Sequence, residues 1–445
     1  MKILSCFLMS LLAVIVIAAN PNILAAQPKF QVFPKQPLMD EGLKIRLSGL
    51  PPGTTVTIKA KMRLAGYSWR SSASFTVNKN SIVDLSKQSP INGDYKGIDA
   101  MGLFWSMNLG AQTESISSGD IKNLAPVVTN LTAEIEGQIV AGKKITRLWT
   151  TPDVRINEIR ENGLVGRIFE PAKKEKHPGI LVLSGSEGGI NNWNAAVLAS
   201  RGYTVFALAY FKADGLPDEL VNIPLEYLKK GIDWMRARKS VDGNRIGVMG
   251  ASKGGELSLL LASMFPEIKT VVAYASGNLV AVGIDKEHSG KQVASWTYQG
   301  QPLPFARCKA TPEFIAQFRT NAPFRLRLLT EPCLSDQEAI KGAVIPVEKI
   351  NGAVLLITGG DDQMGPSSRS AEMIIGKLKK NKHPYPYQHL SYEMAGHGIY
   401  GFYIPTTEST RAGHLALGGT PEANARAQAD SWRKVLIFLR RTLEQ

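Results

Sequence analysis

A serine between glycines is the first feature of this sequence that indicates covalent chemistry. The motif GASKG (250–254) lies between an apolar run typical of a strand, 245–249, and an apolar run typical of a helix, 255–265. A strand–serine–helix turn lifts the hydroxyl clear of a sheet. The amide of Lys253, at the start of the helix, is then placed to stabilise an oxyanion. This context predicts a nucleophilic Ser252, against the alternative of an ordinary turn serine.

One histidine and a pair of aspartates supply the partners that such a serine needs. His397 follows the segment 390–394, a candidate for a last short strand, in a loop of small residues. Asp361 and Asp362 follow the hydrophobic run 353–360, and sites in parallel sheets lie at the carboxyl ends of strands. The order serine, aspartate, histidine is that of α/β-hydrolases. Position alone leaves open which aspartate orients the imidazole.

A glycine-rich segment predicts the second oxyanion donor. The apolar run 179–185 leads into the segment Gly185, Ser186, Glu187 and Gly188, whose backbone amides can turn towards an anion. A phosphate cradle is the competing interpretation, but neither a Walker lysine pair nor G-x-G-x-x-G spacing is present. The sequence also has no H-E-x-x-H or similar ligand spacing. We therefore expect neither a metal nor a cofactor.

The elements that must position these residues alternate between strand and helix from about residue 161 to residue 445. Nearly continuous apolar runs, as buried parallel strands require, are 204–210, 245–250, 270–276 and 353–360. Helical patterns lie between them, which predicts an α/β fold with a mostly parallel sheet covered on both faces. Residues at about 280–345 interrupt the alternation, and we interpret them as an insertion near the site.

The N-terminal part has a different character. Residues 27–160 lack long helical patterns and contain short β-branched runs, at 44–50, 54–62 and 73–78, separated by turn signals. This spacing predicts a small β-sandwich ahead of the α/β domain. Residues 1–26, with Lys2 before a long apolar run and small residues at the end, match a signal peptide. We expect export to the periplasm or the medium, with an uncleaved membrane anchor as the alternative.

The number of cysteines and the net charge limit the classes of protein to which this chain can belong. Three cysteines in 445 residues exclude a disulfide framework, and removal of residues 1–26 leaves Cys308 and Cys333, which we expect to pair in an oxidising compartment. The net charge of +14 comes from scattered basic residues, which we interpret as solvated surface. Without any nucleic-acid-binding signature, we expect no nucleic-acid partner. No obligate protein partner is evident either.

Longer motifs carry a resemblance to a known family. GASKGGEL (250–257), GGDD (359–362), AGH (395–397) and LGGTPEANARAQADSW (417–432) resemble the hydrolase domain of type I acyl-CoA thioesterases and bile acid-CoA:amino acid N-acyltransferase. LMDEGLKIRLSGLPPGTTVTIKA (38–60) is similar to that family's N-terminal domain. The resemblance implies an immunoglobulin-like sandwich followed by an α/β-hydrolase domain. It also implies that Asp362, not Asp361, is the acid.

The resemblance further implies hydrolysis of a small-molecule acyl thioester of the fatty acyl-CoA type. Transferase members of the family carry cysteine as nucleophile, so Ser252 favours hydrolysis. An exported esterase or an acyltransferase acting on an oxyester or amine acceptor is the alternative within catalysis. A non-catalytic binding protein, with the sandwich as its functional module, is the alternative from another class.

Overall fold

The structure, a computed structural model, describes residues 27–112, 124–173, 175–285 and 292–444. The predicted signal peptide, 1–26, lies outside these residues. Over the ranges described, no helix has the length and apolar character needed to cross a membrane.

Two antiparallel sheets form the N-terminal part. Its elements in chain order are β1 (Lys29–Phe33), β2 (Lys44–Ser48), β3 (Thr55–Leu64), β4 (Tyr67–Thr76), β5 (Ile82–Asp84), β6 (Asn92–Gly93), α1 (Gly102–Trp105), β7 (Asn108–Gln112), β8 (Val127–Ile135) and β9 (Gln138–Arg147). Strands β1, β2 and β5 form one sheet, and the other has the order β6-β4-β3-β8-β9, with β7 paired to β4. In β3, buried and more exposed residues alternate, which places one face on a core. The predicted β-sandwich is confirmed.

The remaining strands and helices form the α/β part. Its strands are β10 (Arg155–Ile159), β11 (Val165–Glu170), β12 (His177–Leu183), β13 (Thr204–Ala209), β14 (Ile223–Pro224), β15 (Val241–Ala251), β16 (Ile268–Tyr274), β17 (Trp296–Tyr298), β18 (Gln301–Pro302), β19 (Ala353–Gly359), β20 (Tyr387–Tyr392), β21 (Arg411–Ala412) and β22 (Leu415–Ala416). Its helices are α2 (Asn192–Ala199), α3 (Leu225–Arg236), α4 (Lys253–Met264), α5 (Pro312–Ala316), α6 (Arg327–Cys333), α7 (Ser367–Lys380) and α8 (Pro421–Leu443). Short 3₁₀ turns cover Gln317–Arg319 and Val347–Lys349.

One eight-stranded sheet organises this part, in the order β10-β11-β13-β12-β15-β16-β19-β20. The pairs β10–β11 and β11–β13 are antiparallel, and the other pairs are parallel. Strands β12, β13 and β19 are buried along their whole length, as their apolar sequences require. The predicted α/β class is confirmed. The carboxyl ends of β12, β15, β19 and β20 lie at one edge of the sheet and carry the predicted site residues.

The N-terminal sheets pack directly on the loop that follows His397. Buried Arg147 donates from Nη1 to the carbonyl oxygen of Tyr403 at 2.8 Å. Thr406 donates its backbone N–H to the Trp105 carbonyl at 2.9 Å, and the Thr407 hydroxyl donates to the Met107 carbonyl at 2.6 Å. The N-terminal part therefore supports the loop next to the predicted base.

A second set of contacts joins the two ends of the chain. Asp40 binds Arg201 through an ion pair at 2.6 Å and accepts a hydrogen bond from Trp432 Nε1 at 3.0 Å. Trp432 lies on α8, in a hydrophobic cluster that also contains Phe104 from the sandwich. The two parts thus share a continuous core. The domain boundaries near residue 160 stay a prediction.

The predicted insertion lies between β16 and β19. Its described residues, 280–285 and 292–345, include two short strands and two short helices. Residues 309–332, here called the cap hairpin, are closed at the base by a disulfide between Cys308 and Cys333. The Cα atoms of these cysteines lie 5.2 Å apart, within the usual range for a bridge.

Loss of this bridge is expected to loosen the cap hairpin without unfolding the rest of the chain. The cysteines are separated by 25 residues, and closing such a loop stabilises by about 3 kcal/mol in the loop-entropy model. With Cys308→Ser and Cys333→Ser combined, amide exchange across the hairpin should accelerate by up to roughly a hundredfold, while exchange in β12 and β19 stays unchanged. Two alkylatable thiols in protein purified from an oxidising compartment without reductant would contradict the bridge.

Candidate active site

Ser252 occupies a sharp turn between β15 and α4. Its backbone has φ +54° and ψ −122°, a conformation that a non-glycine residue adopts only when its surroundings impose it. Its N–H donates to the Tyr274 carbonyl at 2.9 Å, and its carbonyl accepts from the Glu256 N–H at 3.0 Å. A side chain on Gly250 would collide with the Gly254 carbonyl. The spacing of the glycine motif thus follows from the close approach of strand and helix.

His397 and Asp362 meet above the ends of β20 and β19. The Nδ1 atom of His397 lies 3.0 Å from Oδ1 and 2.9 Å from Oδ2 of Asp362. The Asp362 side chain is 1% exposed and accepts further hydrogen bonds from the Met364 and Gly365 amides, at 2.9 and 3.2 Å, and from the Ser367 hydroxyl, at 2.7 Å. Three donors besides the imidazole therefore fix this carboxylate, and it in turn fixes the orientation of the imidazole ring.

Asp361 points away from the imidazole. Its Oδ2 accepts a hydrogen bond from the Gly419 N–H at 2.7 Å, and its backbone N–H donates to the Ala395 carbonyl at 2.9 Å. The Leu417 carbonyl, two residues before Gly419, accepts a hydrogen bond from the His397 N–H at 2.8 Å. Asp361 therefore holds the loop under His397, whereas Asp362 holds its side chain.

The electrostatic surroundings of His397 favour the protonated ring. Burial lowers the pKa of His397, but the charge and the hydrogen bond of Asp362, together with the charge of Glu187, outweigh it, so that the pKa is raised above its usual value. Because Glu187 belongs to the segment predicted to bind an oxyanion, this segment also acts on the imidazole.

The glycine-rich segment lies against Ser252. A Cβ built on Gly185 would stand 3.5 Å from the Cβ of Ser252 and 2.7 Å from Oε2 of Glu187. The Gly185 N–H donates to Oε1 of Glu187 at 2.8 Å, and the Gly188 N–H donates to the Gly185 carbonyl at 3.2 Å. In this structure the amides of Gly185 and Gly188 are thus engaged within the segment itself.

A cavity of about 170 Å³ brings the predicted residues together. Ser252 and His397 both line it, together with Thr330 and Leu334 from the insertion. The volume is smaller than that of typical drug-sized ligand pockets, so it accommodates only part of a larger substrate. Within the described ranges, no group of three or more His, Cys, Asp or Glu side chains is placed to hold a metal ion.

Comparison with known proteins decides the family. A family model described as "BAAT / Acyl-CoA thioester hydrolase C terminal" matches residues 223–445, and one described as "Acyl-CoA thioester hydrolase/BAAT N-terminal region" matches residues 40–161. The chain belongs to the acyl-CoA thioester hydrolase/BAAT family. The resemblance inferred from its motifs is confirmed.

The relatives of this chain in the family include proteins named thioesterases and proteins named N-acyltransferases. Acyl-coenzyme A amino acid N-acyltransferase 2 of Rattus norvegicus is 31% identical over 93% of this chain and 97% of its own length. Acyl-coenzyme A thioesterase 1 of Mus musculus is 28% identical over 91% of this chain and 94% of its own length. Bile acid-CoA:amino acid N-acyltransferase of Mus musculus is 28% identical over 93% of this chain and 98% of its own length.

In this member of the acyl-CoA thioester hydrolase/BAAT family, a buried hydrogen-bond network lies next to Ser252. It was not predicted from the sequence. The Nζ atom of Lys253 contacts the Glu256 carboxylate at 2.9 Å, the Ser295 hydroxyl at 2.8 Å and the Ala281 carbonyl at 3.1 Å. Trp296 Nε1 also donates to Glu256, at 3.0 Å. The network ties the insertion to the first turn of α4. Its signal in the sequence was the i,i+3 spacing of Lys253 and Glu256, which is typical of a helical ion pair.

Proposed function

We propose that this protein hydrolyses acyl thioesters of the acyl-CoA type through an acyl-enzyme on Ser252. The observation that carries the proposal is the contact of His397 Nδ1 with the buried Asp362 carboxylate, on a ring that shares a cavity with the strained Ser252. This contact leaves Nε2 as the ring nitrogen that can exchange a proton with the serine. Family membership supports thioester chemistry as the use of this arrangement.

The proposed reaction has two halves. His397 Nε2 takes the proton of the Ser252 hydroxyl as Oγ bonds to the thioester carbonyl carbon. The tetrahedral intermediate then expels the thiolate, which receives that proton from His397, and an oxyester on Ser252 remains. Water, deprotonated by His397, repeats the attack and releases the free acid, with the proton returned to Ser252. Asp362 stabilises the imidazolium in both halves.

The amide of Lys253 is the proposed first oxyanion donor, because it begins α4 directly after the nucleophile. For the second donor, the engagement of the Gly185 and Gly188 amides favours the amides of Ser186 and Glu187 within the same segment. All of these residues stood among the candidates from the sequence. Their roles stay proposals.

Acyl transfer to an amine is the second candidate function, favoured by the relatives named N-acyltransferases. The Ser252 oxyester is less reactive towards amines than the thioester that a cysteine nucleophile would form. We therefore expect water to be the main acceptor. The experiment is to supply acyl-CoAs of graded chain length and p-nitrophenyl esters, with and without glycine or taurine, and to measure free acid against N-acyl amino acid. Mostly conjugate would make this protein a transferase, and turnover of the small esters alone would remove the thioester assignment.

Export of the protein is proposed on two grounds. The N-terminal 26 residues, which contain Cys6, match a signal peptide. The two remaining cysteines of the sequence, Cys308 and Cys333, are joined by a disulfide. An exported enzyme would meet acyl esters or thioesters outside the cytoplasm. Fractionation of the producing cells, followed by N-terminal sequencing, tests both the location and the cleavage.

Replacing Glu187 by glutamine is expected to shift the acid limb of the kcat/KM profile to lower pH. His397 must be neutral to accept the serine proton, and the charge of Glu187 raises its pKa. Without that charge the pKa falls, so the neutral ring persists to lower pH. Glutamine keeps an acceptor for the Gly185 N–H. Glu134→Gln, which removes a carboxylate paired with Lys59 in the sandwich, is the control. A shift towards higher pH would show that Glu187 acts on His397 in another way.

A further inference from the structure

The cap hairpin presents apolar side chains to solvent. Phe318 is 72% exposed and Ile315 is 49% exposed, and no residue of α5 or of the 3₁₀ turn after it is buried. The ring centroid of Phe318 lies 5.9 Å from that of Phe314 and 5.0 Å from that of Phe324. The hairpin therefore carries three aromatic rings in mutual contact, of which Phe318 is largely exposed. Exposed apolar clusters of this kind mark interaction surfaces more often than isolated side chains do.

The same segment is basic. Between residues 309 and 332 there are two acidic residues, Glu313 and Glu331, against four basic residues, which are Lys309, Arg319, Arg325 and Arg327. Arg327 is paired with Glu331 at 2.7 Å. In contrast, Arg319 and Arg325 are exposed, and within the described parts of the chain neither has a carboxylate at ion-pair distance. Apolar rings beside unpaired guanidinium groups match the boundary between headgroups and acyl chains of an anionic membrane.

Several contacts hold this surface in a fixed shape. Oε1 of Gln317 accepts the Arg325 N–H at 2.8 Å, and Nε2 of Gln317 donates to the Arg325 carbonyl at 3.2 Å. The Cys308–Cys333 bridge closes the base. A rigid surface loses little conformational entropy when it binds, so a small apolar cluster is sufficient for reversible attachment.

The far leg of the hairpin reaches the candidate site. Arg327 donates from Nη1 to the Gly360 carbonyl at 3.0 Å, and its backbone N–H donates to the Gln363 carbonyl at 2.9 Å. Thr330, at the next turn of α6, lines the cavity that contains Ser252. The exposed rings thus belong to the same short segment that contributes Thr330 to the lining of the cavity.

We propose that the cap hairpin docks this protein reversibly on an anionic phospholipid surface. Phe318 and Ile315 insert at the level of the headgroups, and Arg319 and Arg325 contact the lipid phosphates. Docking would place this part of the cavity lining near the membrane, where molecules with long acyl chains partition. The proposal concerns attachment and does not depend on the reaction assigned to Ser252.

The test compares variants of the purified full chain on vesicles of phosphatidylcholine with 30% phosphatidylglycerol. Flotation measures binding, and hydrogen–deuterium exchange measures protection of residues 311–326, which separates the hairpin from any attachment by the N-terminal apolar segment. We expect Phe318→Ser to lower the partition coefficient by about tenfold, and Arg319→Gln with Arg325→Gln to lower it by roughly twentyfold at low salt. Phe33→Ser, at a phenylalanine 66% exposed on β1, and Lys143→Gln with Lys144→Gln, at exposed lysines of β9, are the matched controls.

Three results would overturn the proposal. The first is equal binding to vesicles of phosphatidylcholine alone. The second is binding without protection of residues 311–326. The third is self-association in the absence of lipid that Phe318→Ser abolishes, because the surface would then join two copies of this chain. Ser252→Ala should bind vesicles as the wild type does, so a failure of the proposed reaction leaves this test intact.

Discussion

Ser252→Ala is expected to lower the turnover of acyl thioesters by at least about a thousandfold. Without the hydroxyl no acyl-enzyme forms, and the residual rate comes only from substrate binding and oxyanion stabilisation. Alanine occupies the turn with the same Cβ, so the strained backbone is retained. The measurement is kcat on an acyl-CoA, together with loss of labelling by a fluorophosphonate probe.

A serine nearby on α4 provides the control. Ser258 is buried and donates its hydroxyl to the Gly254 carbonyl at 2.7 Å, so Ser258→Ala perturbs the packing of the same turn without touching the cavity. It should retain activity within about tenfold. If Ser252→Ala retained more than a tenth of the wild-type rate at unchanged thermal stability, Ser252 would have no place in the mechanism.

The two adjacent aspartates are expected to differ strongly. Asp362→Asn should lower kcat/KM by roughly 10⁴-fold, because an amide can donate to Nδ1 and so stabilise the wrong tautomer of His397. Asp361→Asn should lower kcat/KM by less than about tenfold, because the asparagine Oδ1 still accepts a hydrogen bond from the Gly419 N–H. The comparison is made on one acyl-CoA across the pH profile.

The stability of both variants must be measured, because both aspartates also hold backbone amides. Asp362 accepts from the Met364 and Gly365 amides, and Asp361 accepts from the Gly419 amide. Asparagine keeps one acceptor for them, so the fold should survive. Equal losses for the two variants, with native stability, would mean that positioning of the loop by Asp361 matters as much as orientation of the ring.

Three of the four nearly continuous apolar runs were located from the sequence to within two residues, whereas β15 begins at Val241, four residues before the predicted run 245–250. The run 353–360 corresponds to β19 (Ala353–Gly359), and 270–276 corresponds to β16 (Ile268–Tyr274). Buried parallel strands have this property because both faces need apolar side chains. In contrast, β4 begins at Tyr67, six residues before the predicted start at 73, because serines and an arginine occupy its less buried positions. Strands with one solvated face carry a weaker signal.

The candidate site was predictable in its residue types and not in its contacts. Chain order and flanking strands singled out Ser252, His397 and the aspartate pair. Adjacent side chains on an extended loop point in opposite directions, but the sequence does not tell which of Asp361 and Asp362 faces the histidine. Only the family resemblance pointed to Asp362. For the side chain of Lys253 the spacing indicated only the pair with Glu256, and its other partners, Ser295 and Ala281, could not be predicted because they come from an insertion whose path depends on the whole fold.

Because the sandwich supports the loop after His397, the α/β part depends on the sandwich for the structure of its candidate site. A fragment beginning near residue 161 would lose the Arg147, Trp105 and Met107 contacts to that loop. It would keep the serine turn and the sheet apart from its edge strand β10, whereas the histidine segment would lose its contacts with the sandwich. Exchange of the sandwich between relatives would therefore alter reaction rates, although no residue of the sandwich lines the cavity among those described.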